Sequence, residues 1–347
     1  MEKNNIEFQN FKKKEYYPLD SCKVFFYVIL SIVIASLFSI ILFSVISYMF
    51  KNTYTSSEFD KLPGVIYAKT LVMPVTFFLL YFIYSKKNNI NMITATKFKP
   101  IKNPQIIVSS VLLSFVSVFA IGSFIGLFNW GLYEIGYRPT TSFEFEMDTP
   151  SKLIAGIFSM AILPAVAEEL IFRGIILQGL MKKYSKFASI IMSAIFFMLM
   201  HGALSQTLYQ FYLGIILAVV VAYGGSIYYG MILHFLNNLI VLVVNFAGGL
   251  SILEPYNMDT SLALKIIIPI ILLVVGLILT FLFIRVIKSN QSKNPVIITS
   301  ENVVEISSQQ GNVGLRYFAK NLNSFEKVFF NSGMIVSIAV WLMNTFG

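Results

Sequence analysis

The chain has 347 residues, of which 56% are hydrophobic and only 12% are charged, and its mean hydropathy is +0.75. Soluble domains carry about 25% charged residues, so this composition excludes an ordinary soluble protein and indicates an integral membrane protein. The net charge of +9 does not indicate nucleic-acid binding, because the lysines lie in short loops between apolar runs. The single cysteine, Cys22, excludes a disulfide framework and a cysteine-based metal site.

Eight apolar runs predict an all-α fold, a polytopic bundle of transmembrane helices. Most runs are long enough to cross a hydrocarbon core of about 30 Å, which takes about twenty helical residues. The runs cover 24–50, 64–84, 106–127, 152–181, 187–201, 209–223, 227–246 and 264–287. The fifth and sixth are short, and short spans are tolerated where neighbouring helices or a water-filled cavity satisfy the backbone. We therefore expect a polar site beside them.

The loop charges predict how the chain is oriented. Lysines cluster in the head and in the loops at 86–102 and 182–186, whereas acidic residues predominate at 134–148 and 254–259. Lysine and arginine are enriched in cytoplasmic loops, so the lysine-rich segments should face the cytoplasm. These charges predict a cytoplasmic N-terminus, and we expect the protein to be integral to a bacterial cell membrane.

Four parts are predicted along the chain. They are a cytoplasmic head at 1–23, a transmembrane domain at 24–287 with its core at 151–246, a polar cytoplasmic segment at 288–327, and an apolar stretch at 328–347. The last part is apolar enough to be a ninth span or an interfacial helix, and the sequence does not separate the two. The long run after the head does not fit a cleaved signal peptide, so the first helix should remain as an anchor.

The sequence EELIFR places three ionisable groups, Glu168, Glu169 and Arg173, inside an apolar run. Each charge at the centre of a membrane helix costs about 2.5–3.5 kcal/mol. Glu169 and Arg173 are four residues apart and can pair on one helix face. Glu168 is rotated by about 100° and stays available as a general base. The alternative is a polar clamp that only fixes helix packing.

Two prolines mark this helix. Thr149 and Pro150 are typical of an N-cap followed by a first-turn proline, so the helix should begin there. Pro164 lies four residues before Glu168 and removes a backbone hydrogen bond, which should kink or loosen the turn that precedes the acidic pair.

Both histidines of the chain, His201 and His234, lie in apolar runs. Phe197 lies one helical turn from His201, and Asn238 lies one turn from His234. At about 1.5 Å per residue from the lysine-rich ends, Glu168 and His201 are each about 20 Å deep. Asn238 is at a similar depth and His234 one turn nearer the cytoplasm, so the groups should meet. The alternative is that each histidine is a satisfied core residue.

These groups suit hydrolysis. Glu168 could deprotonate a water that His201 holds, while His234 and Asn238 donate hydrogen bonds to an oxyanion. A second version places a divalent metal such as Zn²⁺ on Glu168, His201 and His234, the two-histidine, one-carboxylate set of catalytic zinc sites. An HExxH helix is absent. A metal site and a metal-free glutamate mechanism both remain open.

Together the three motifs resemble the CAAX-prenyl-protease and bacteriocin-processing (CPBP) family of intramembrane proteases. EExxxR matches Glu168, Glu169 and Arg173, FxxxH matches Phe197 and His201, and HxxxN matches His234 and Asn238. The resemblance covers about 151–246. It implies an endopeptidase for membrane-associated or lipidated peptides and proteins, with roles in CAAX-tail trimming, bacteriocin maturation or self-immunity. Members are commonly classed as metalloproteases.

Two further functions compete with proteolysis. The first is a membrane scaffold that binds and regulates another membrane protein, such as a sensor kinase, without cleaving it. The second is a transporter with a proton relay, which buried Glu, His and Arg also indicate, although the chain shows no repeated halves. The expected partners are a membrane protein or peptide substrate and the lipid bilayer, with no nucleic acid. The sequence does not give the oligomeric state.

Overall fold

The computed structural model describes residues 15–137, 148–248, 261–292 and 322–346, and the description below concerns these residues. Eight of their helices are long and apolar enough to cross a membrane. These are Pro18–Met49, Pro63–Lys87, Pro104–Glu134, Pro150–Leu180, Leu204–Gly224, Ile227–Phe246, Leu262–Asn290 and Ser324–Thr345. The predicted all-α polytopic membrane bundle is confirmed.

The helices are numbered in chain order. They are α1 (Pro18–Met49), α2 (Ser56–Asp60), α3 (Pro63–Lys87), α4 (Met92–Ala95), α5 (Pro104–Phe115), α6 (Gly122–Glu134), α7 (Pro150–Gly156), α8 (Leu163–Glu169), α9 (Leu177–Leu180), α10 (Lys186–His201), α11 (Leu204–Gly224), α12 (Ile227–Phe246), α13 (Leu262–Ser292) and α14 (Ser324–Phe346). The fifth predicted run is α10, which has 16 residues and is shorter than the eight candidate spans.

Helix α1 begins before the apolar run that predicts it. Its first turn is polar but buried, and the Asp20 carboxylate accepts hydrogen bonds from the Tyr17 backbone N–H at 2.8 Å and from the Tyr84 hydroxyl at 2.6 Å. These hydrogen bonds satisfy the buried carboxylate of the first turn. Hydropathy alone assigns this polar turn to the head. Residues 1–14 of that head, residues 293–321 of the polar segment, and the loop residues 138–147 and 249–260 lie outside the described residues.

Helix α14 runs the depth of the bundle beside α1. Near its start, Glu326 accepts a salt bridge from Lys183 at 3.2 Å, just before α10 begins. Near its end, the Asn344 side chain donates to the Gly202 carbonyl at 3.0 Å, just after α10 ends. Contacts with both ends of α10 favour a span over an interfacial helix for this C-terminal stretch.

Three π-helical segments, Val116–Ile121, Ile157–Ile162 and Leu170–Ile176, interrupt two of the long helices. Around the last segment, buried side chains donate to backbone carbonyls. Ser193 donates to Phe172 at 3.2 Å, Gln178 to Arg173 at 3.0 Å and Ser21 to Ile176 at 2.9 Å. Irregular backbone at membrane depth needs such partners, since lipid supplies none.

The helix that carries EELIFR lies at the centre of the bundle. All side chains from 169 to 180 are buried. Helices α10 and α11 approach closely beside it, because Gly214 has no side chain: a Cβ there would lie 3.0 Å from the Ala194 Cα. Small residues permit such backbone approach in membrane bundles. The close approach brings α11 against the helix that carries EELIFR, here called the site helix.

Candidate active site

The predicted ion pair is present at the centre of the bundle. Arg173 donates from Nη1 to Oε1 of Glu169 at 2.8 Å, and both side chains are fully buried. Nη2 of Arg173 also donates to the Gly214 carbonyl at 3.2 Å. The pair lies within one helix, so its two charges are neutralised locally, and α11 supplies a further acceptor. A buried pair of this kind is tolerated because each charge keeps hydrogen-bond partners.

Glu169 also contacts the third motif. Its Oε1 lies 3.1 Å from Nδ1 of His234, so one oxygen serves both Arg173 and the imidazole. A carboxylate only accepts, which places the proton on Nδ1 and turns Nε2 toward Glu168. Gly230 leaves room for this contact, since a Cβ there would lie 2.5 Å from Oε2 of Glu169.

Glu168 has the environment predicted for an available carboxylate. Its Oε2 is buried and has no hydrogen-bond partner within the part of the chain that the structure describes. Nε2 of His234 lies 3.9 Å from that oxygen, beyond hydrogen-bond distance. The side chain is 15% exposed and lines a cavity of about 520 Å³.

The cavity brings the predicted groups together. Glu168 from α8, His201 from α10, and His234 and Asn238 from α12 all line it. Apolar residues such as Met73 of α3 complete its wall. Cavities that combine apolar walls with a few convergent polar groups are typical of substrate sites.

His201 is held by its own helix. Its Nδ1 lies 2.9 Å from the Phe197 carbonyl oxygen. A carbonyl accepts only, so Nδ1 carries the proton and the lone pair of Nε2 is available. The helix stops at once, because Gly202 has a left-handed φ of 61°. The imidazole therefore stands at the last turn of α10, beside the cavity.

Phe197 packs between the charged pair and the imidazoles. Its ring centroid lies 4.8 Å from that of His201 and 5.9 Å from that of His234. The guanidinium carbon of Arg173 lies 4.4 Å from the same ring centroid, within the range of a cation–π contact. The second motif thus supplies an aromatic ring that contacts the other two motifs.

Asn238 has a structural partner. Its Nδ2 donates to the Met160 carbonyl at 3.3 Å. Met160 lies four residues before Pro164, so in an α-helix its carbonyl would face the amide hydrogen that proline lacks. The π-helical segment Ile157–Ile162 ends just before this proline, in agreement with the predicted loosening of the turn. One N–H of the Asn238 carboxamide remains, and its predicted role at an oxyanion stays a prediction.

Sequence reasoning missed several polar residues of the cavity, among them Tyr209, Asn237, Asn129 and Gln210. The Tyr209 hydroxyl donates to Oδ1 of Asn237 at 2.7 Å. Asn129 Oδ1 and Gln210 Oε1 are buried and have no hydrogen-bond partner among the described residues. Asn237 could have been found from the sequence, because it is next to Asn238 of the third motif. The other three lie in apolar helices without a local motif, so only packing reveals them.

The predicted metal site stays a prediction. Among the described residues, no three His, Cys, Asp or Glu side chains are arranged to hold one metal ion. Both Nδ1 atoms are engaged, by Phe197 for His201 and by Glu169 for His234, so only the Nε2 atoms could bind a metal. We therefore derive no chemical step through a metal, and the Zn²⁺ requirement stays a prediction.

Comparison with known proteins agrees with the motifs. A family model described as "Type II CAAX prenyl endopeptidase Rce1-like" matches residues 150–240. The matched residues include all three motifs, so the predicted resemblance is confirmed. At the level of the family, the match supports a CAAX-protease-like endopeptidase. No curated protein and no solved structure matches the chain significantly.

Proposed function

Because residues 150–240 match the type II CAAX prenyl endopeptidase family, we propose that this chain is an intramembrane endopeptidase of the glutamate type. It hydrolyses peptide bonds of membrane-associated substrates with a water that Glu168 activates. One observation carries the proposal: a single cavity holds the Glu168 carboxylate, whose Oε2 has no partner among the described residues, two imidazoles that are held through Nδ1, and a carboxamide.

The first step is activation of water. Glu168 takes a proton from a water in the cavity, and the water oxygen attacks the carbonyl carbon of the scissile peptide bond. Nε2 of His201 accepts the second hydrogen of that water, because its Nδ1–H is used on Phe197. This hydrogen bond fixes the water between the base and the substrate.

The second step is stabilisation of the oxyanion. To donate from Nε2, His234 takes up a second proton from solvent before the reaction, and Glu169, which accepts its Nδ1–H, stabilises the imidazolium charge. The remaining N–H of Asn238 is a second donor. Removal of one such donor costs about 100- to 1,000-fold in kcat in well-studied hydrolases.

The third step is release of the amine. Protonated Glu168 gives its proton to the leaving nitrogen as the C–N bond breaks, which regenerates the carboxylate and yields one carboxylic acid and one amine. This mechanism needs no metal ion. Lipidated CAAX tails, bacteriocin maturation and self-immunity stay predicted uses of this reaction.

The test compares membrane-derived peptides from cells that express wild type, Glu168→Gln or Glu134→Gln at matched levels. Glu134 is exposed and lies at the end of α6, so its variant is a matched control for loss of one carboxylate. We expect fragments with wild type and the control that are absent with Glu168→Gln. Identical peptide sets, with a phenotype that survives Glu168→Gln combined with His201→Ala, would instead establish a scaffold.

A further inference from the structure

The two ends of the bundle differ strongly in charge. One end, here called the lysine-rich face, carries basic residues from several loops. These are Lys86, Lys87, Lys97, Lys99 and Lys102, then Lys182, Lys183 and Lys186, and Arg285 with Lys288. The acidic residues described there are engaged: Glu15 with Lys182, Asp20 with Tyr84, and Glu326 with Lys183.

The opposite end, here called the mixed-charge face, is nearly balanced. Its described acidic residues are Glu58, Asp60, Glu134 and Asp148, and its basic residues are Lys51, Lys61, Lys69, Lys152 and Lys265. Two of these pairs form salt bridges, Lys69 with Asp60 at 2.9 Å and Lys152 with Asp148 at 2.6 Å. The positive-inside rule therefore places the lysine-rich face in the cytoplasm and the mixed-charge face outside.

The cavity lies toward the mixed-charge face. Glu168, His234 and Leu213 are among its lining residues nearest the lysine-rich face. The other end of its lining reaches the helix ends: Asn129 lies near the end of α6, Gln206 near the start of α11 and Leu242 near the end of α12. At 1.5 Å per residue, these three lie only about 3–8 Å from their helix ends.

Helix lengths support an opening of the cavity at that face. α10 has 16 residues, or about 24 Å, whereas α1 has 32 residues, or about 48 Å. By length, the turn after His201 lies below the end of α1, and it is level with the end of α14, where Asn344 contacts Gly202. Toward the lysine-rich face, by contrast, the site helix is packed, since all side chains from 169 to 180 are buried.

We propose that the cavity opens to the extracytoplasmic side and receives its substrate from there. The substrate class is then an extended segment of an exported peptide, or the extracytoplasmic end of a membrane-anchored protein. A lipidated tail presented in the cytoplasm would meet the packed, lysine-rich face instead. This substrate class rests on the proposed proteolysis, whereas the direction of the opening does not.

Cysteine labelling tests the opening, because the only native cysteine, Cys22, is fully buried. Gln206→Cys reports on the cavity, Glu58→Cys on the mixed-charge face and Lys99→Cys on the lysine-rich face. A membrane-impermeant maleimide on intact cells should label Gln206→Cys and Glu58→Cys, and should label Lys99→Cys only after permeabilisation. Thr70→Cys, also in the cavity lining, is a second reporter if Gln206→Cys does not accumulate.

Two labelling patterns would overturn the proposal. In the first, the cavity cysteines react only after permeabilisation, as Lys99→Cys does. The second is labelling of Glu58→Cys in intact cells while neither cavity cysteine reacts. Labelling does not depend on cleavage, so the opening and the proteolytic function can fail separately.

The substrate class is tested with a synthetic peptide that spans the cleavage site found in the membrane comparison. Intact wild-type cells should cleave the peptide added outside, and Glu168→Gln cells should not. Cleavage only in inverted membrane vesicles would overturn the assignment to exported substrates.

Discussion

The side-chain amide of Asn344 donates a hydrogen bond at 3.0 Å to the carbonyl of Gly202, the residue that follows His201. One turn earlier in α14, Trp341 donates from its indole to the Thr207 hydroxyl at 3.0 Å. Helix α14 lies outside the residues that match the endopeptidase family. A helix from outside the matched segment thus holds the turn that places a candidate catalytic histidine.

Replacing Asn344 with Leu should lower kcat several-fold and leave KM unchanged, because the turn that orients His201 loses its donor. Stability should fall by about 1 kcal/mol, the usual net worth of one hydrogen bond. Cleavage kinetics and thermal unfolding in detergent measure the two effects. Asn290→Leu is the control, since that amide donates to Val286 of its own helix, so kcat should not change. An unchanged kcat for Asn344→Leu would refute the positioning role.

Gly230→Ala should destabilise the protein by about 1–3 kcal/mol, the usual cost of overpacking. The new Cβ would lie 2.5 Å from Oε2 of Glu169 and 2.7 Å from Val221, so the carboxylate that holds His234 must shift. Cleavage should fall about tenfold or more. Gly131→Ala is the control, because nothing lies within 4 Å of its Cβ position and the residue is helical. Wild-type activity in Gly230→Ala would show that Glu169 does not orient the imidazole.

Arg173→Ala should mainly reduce the yield of folded protein. The change leaves the Glu169 charge buried without its main partner, and breaking a buried ion pair costs about 3–5 kcal/mol. Lys69→Ala removes an exposed pair with Asp60 and should change stability little. The amount of monodisperse protein in detergent and its unfolding temperature measure both variants. Equal values for Arg173→Ala and wild type would show that folding does not need the buried ion pair between Glu169 and Arg173.

Gln210→Met should keep or raise stability and still reduce cleavage. The Gln210 oxygen is buried and has no partner among the described residues, and an unsatisfied buried group costs about 1–3 kcal/mol. We expect substrate N–H groups to use this oxygen, so its loss should raise KM. Tyr209→Phe provides the opposite case, because its hydroxyl bonds Asn237 and its loss should lower stability. A lower unfolding temperature for Gln210→Met would indicate a structural role instead.

Removal of divalent metals should leave the cleavage rate unchanged, because Glu168, His201 and His234 do not form a ligand set in this conformation. The measurement is cleavage by purified protein before and after dialysis against a chelator, with elemental analysis of the same samples. Activity that disappears with the chelator and returns with Zn²⁺ would establish the metal-dependent version.

The local part of the site could be predicted from the sequence. The Glu169–Arg173 pair follows from a spacing of four residues on one helix, and it forms as expected. Counting along helices also placed Glu168, His201 and Asn238 at one depth, and all three line one cavity. Both inferences need only helical geometry.

Contacts between helices could not be predicted in this way. The bond between Glu169 and His234 depends on the rotation of α12 and on the space that Gly230 leaves. The donation from Asn238 to Met160 depends on a helix distorted before Pro164. Hydropathy and spacing fix neither rotation nor distortion, and the contact of Asn344 with Gly202 spans residues that no motif connects.

The sharing of one Glu169 oxygen by Arg173 and His234 has a consequence for biogenesis. Arg173 belongs to the same helix, so the two charges can neutralise each other as soon as that helix enters the bilayer. His234 is synthesised 65 residues after Glu169, and its imidazole reaches the carboxylate only when α12 docks. Insertion of the acidic helix and orientation of the imidazole are thus separate events, and a partly synthesised chain that lacks α12 has no oriented His234.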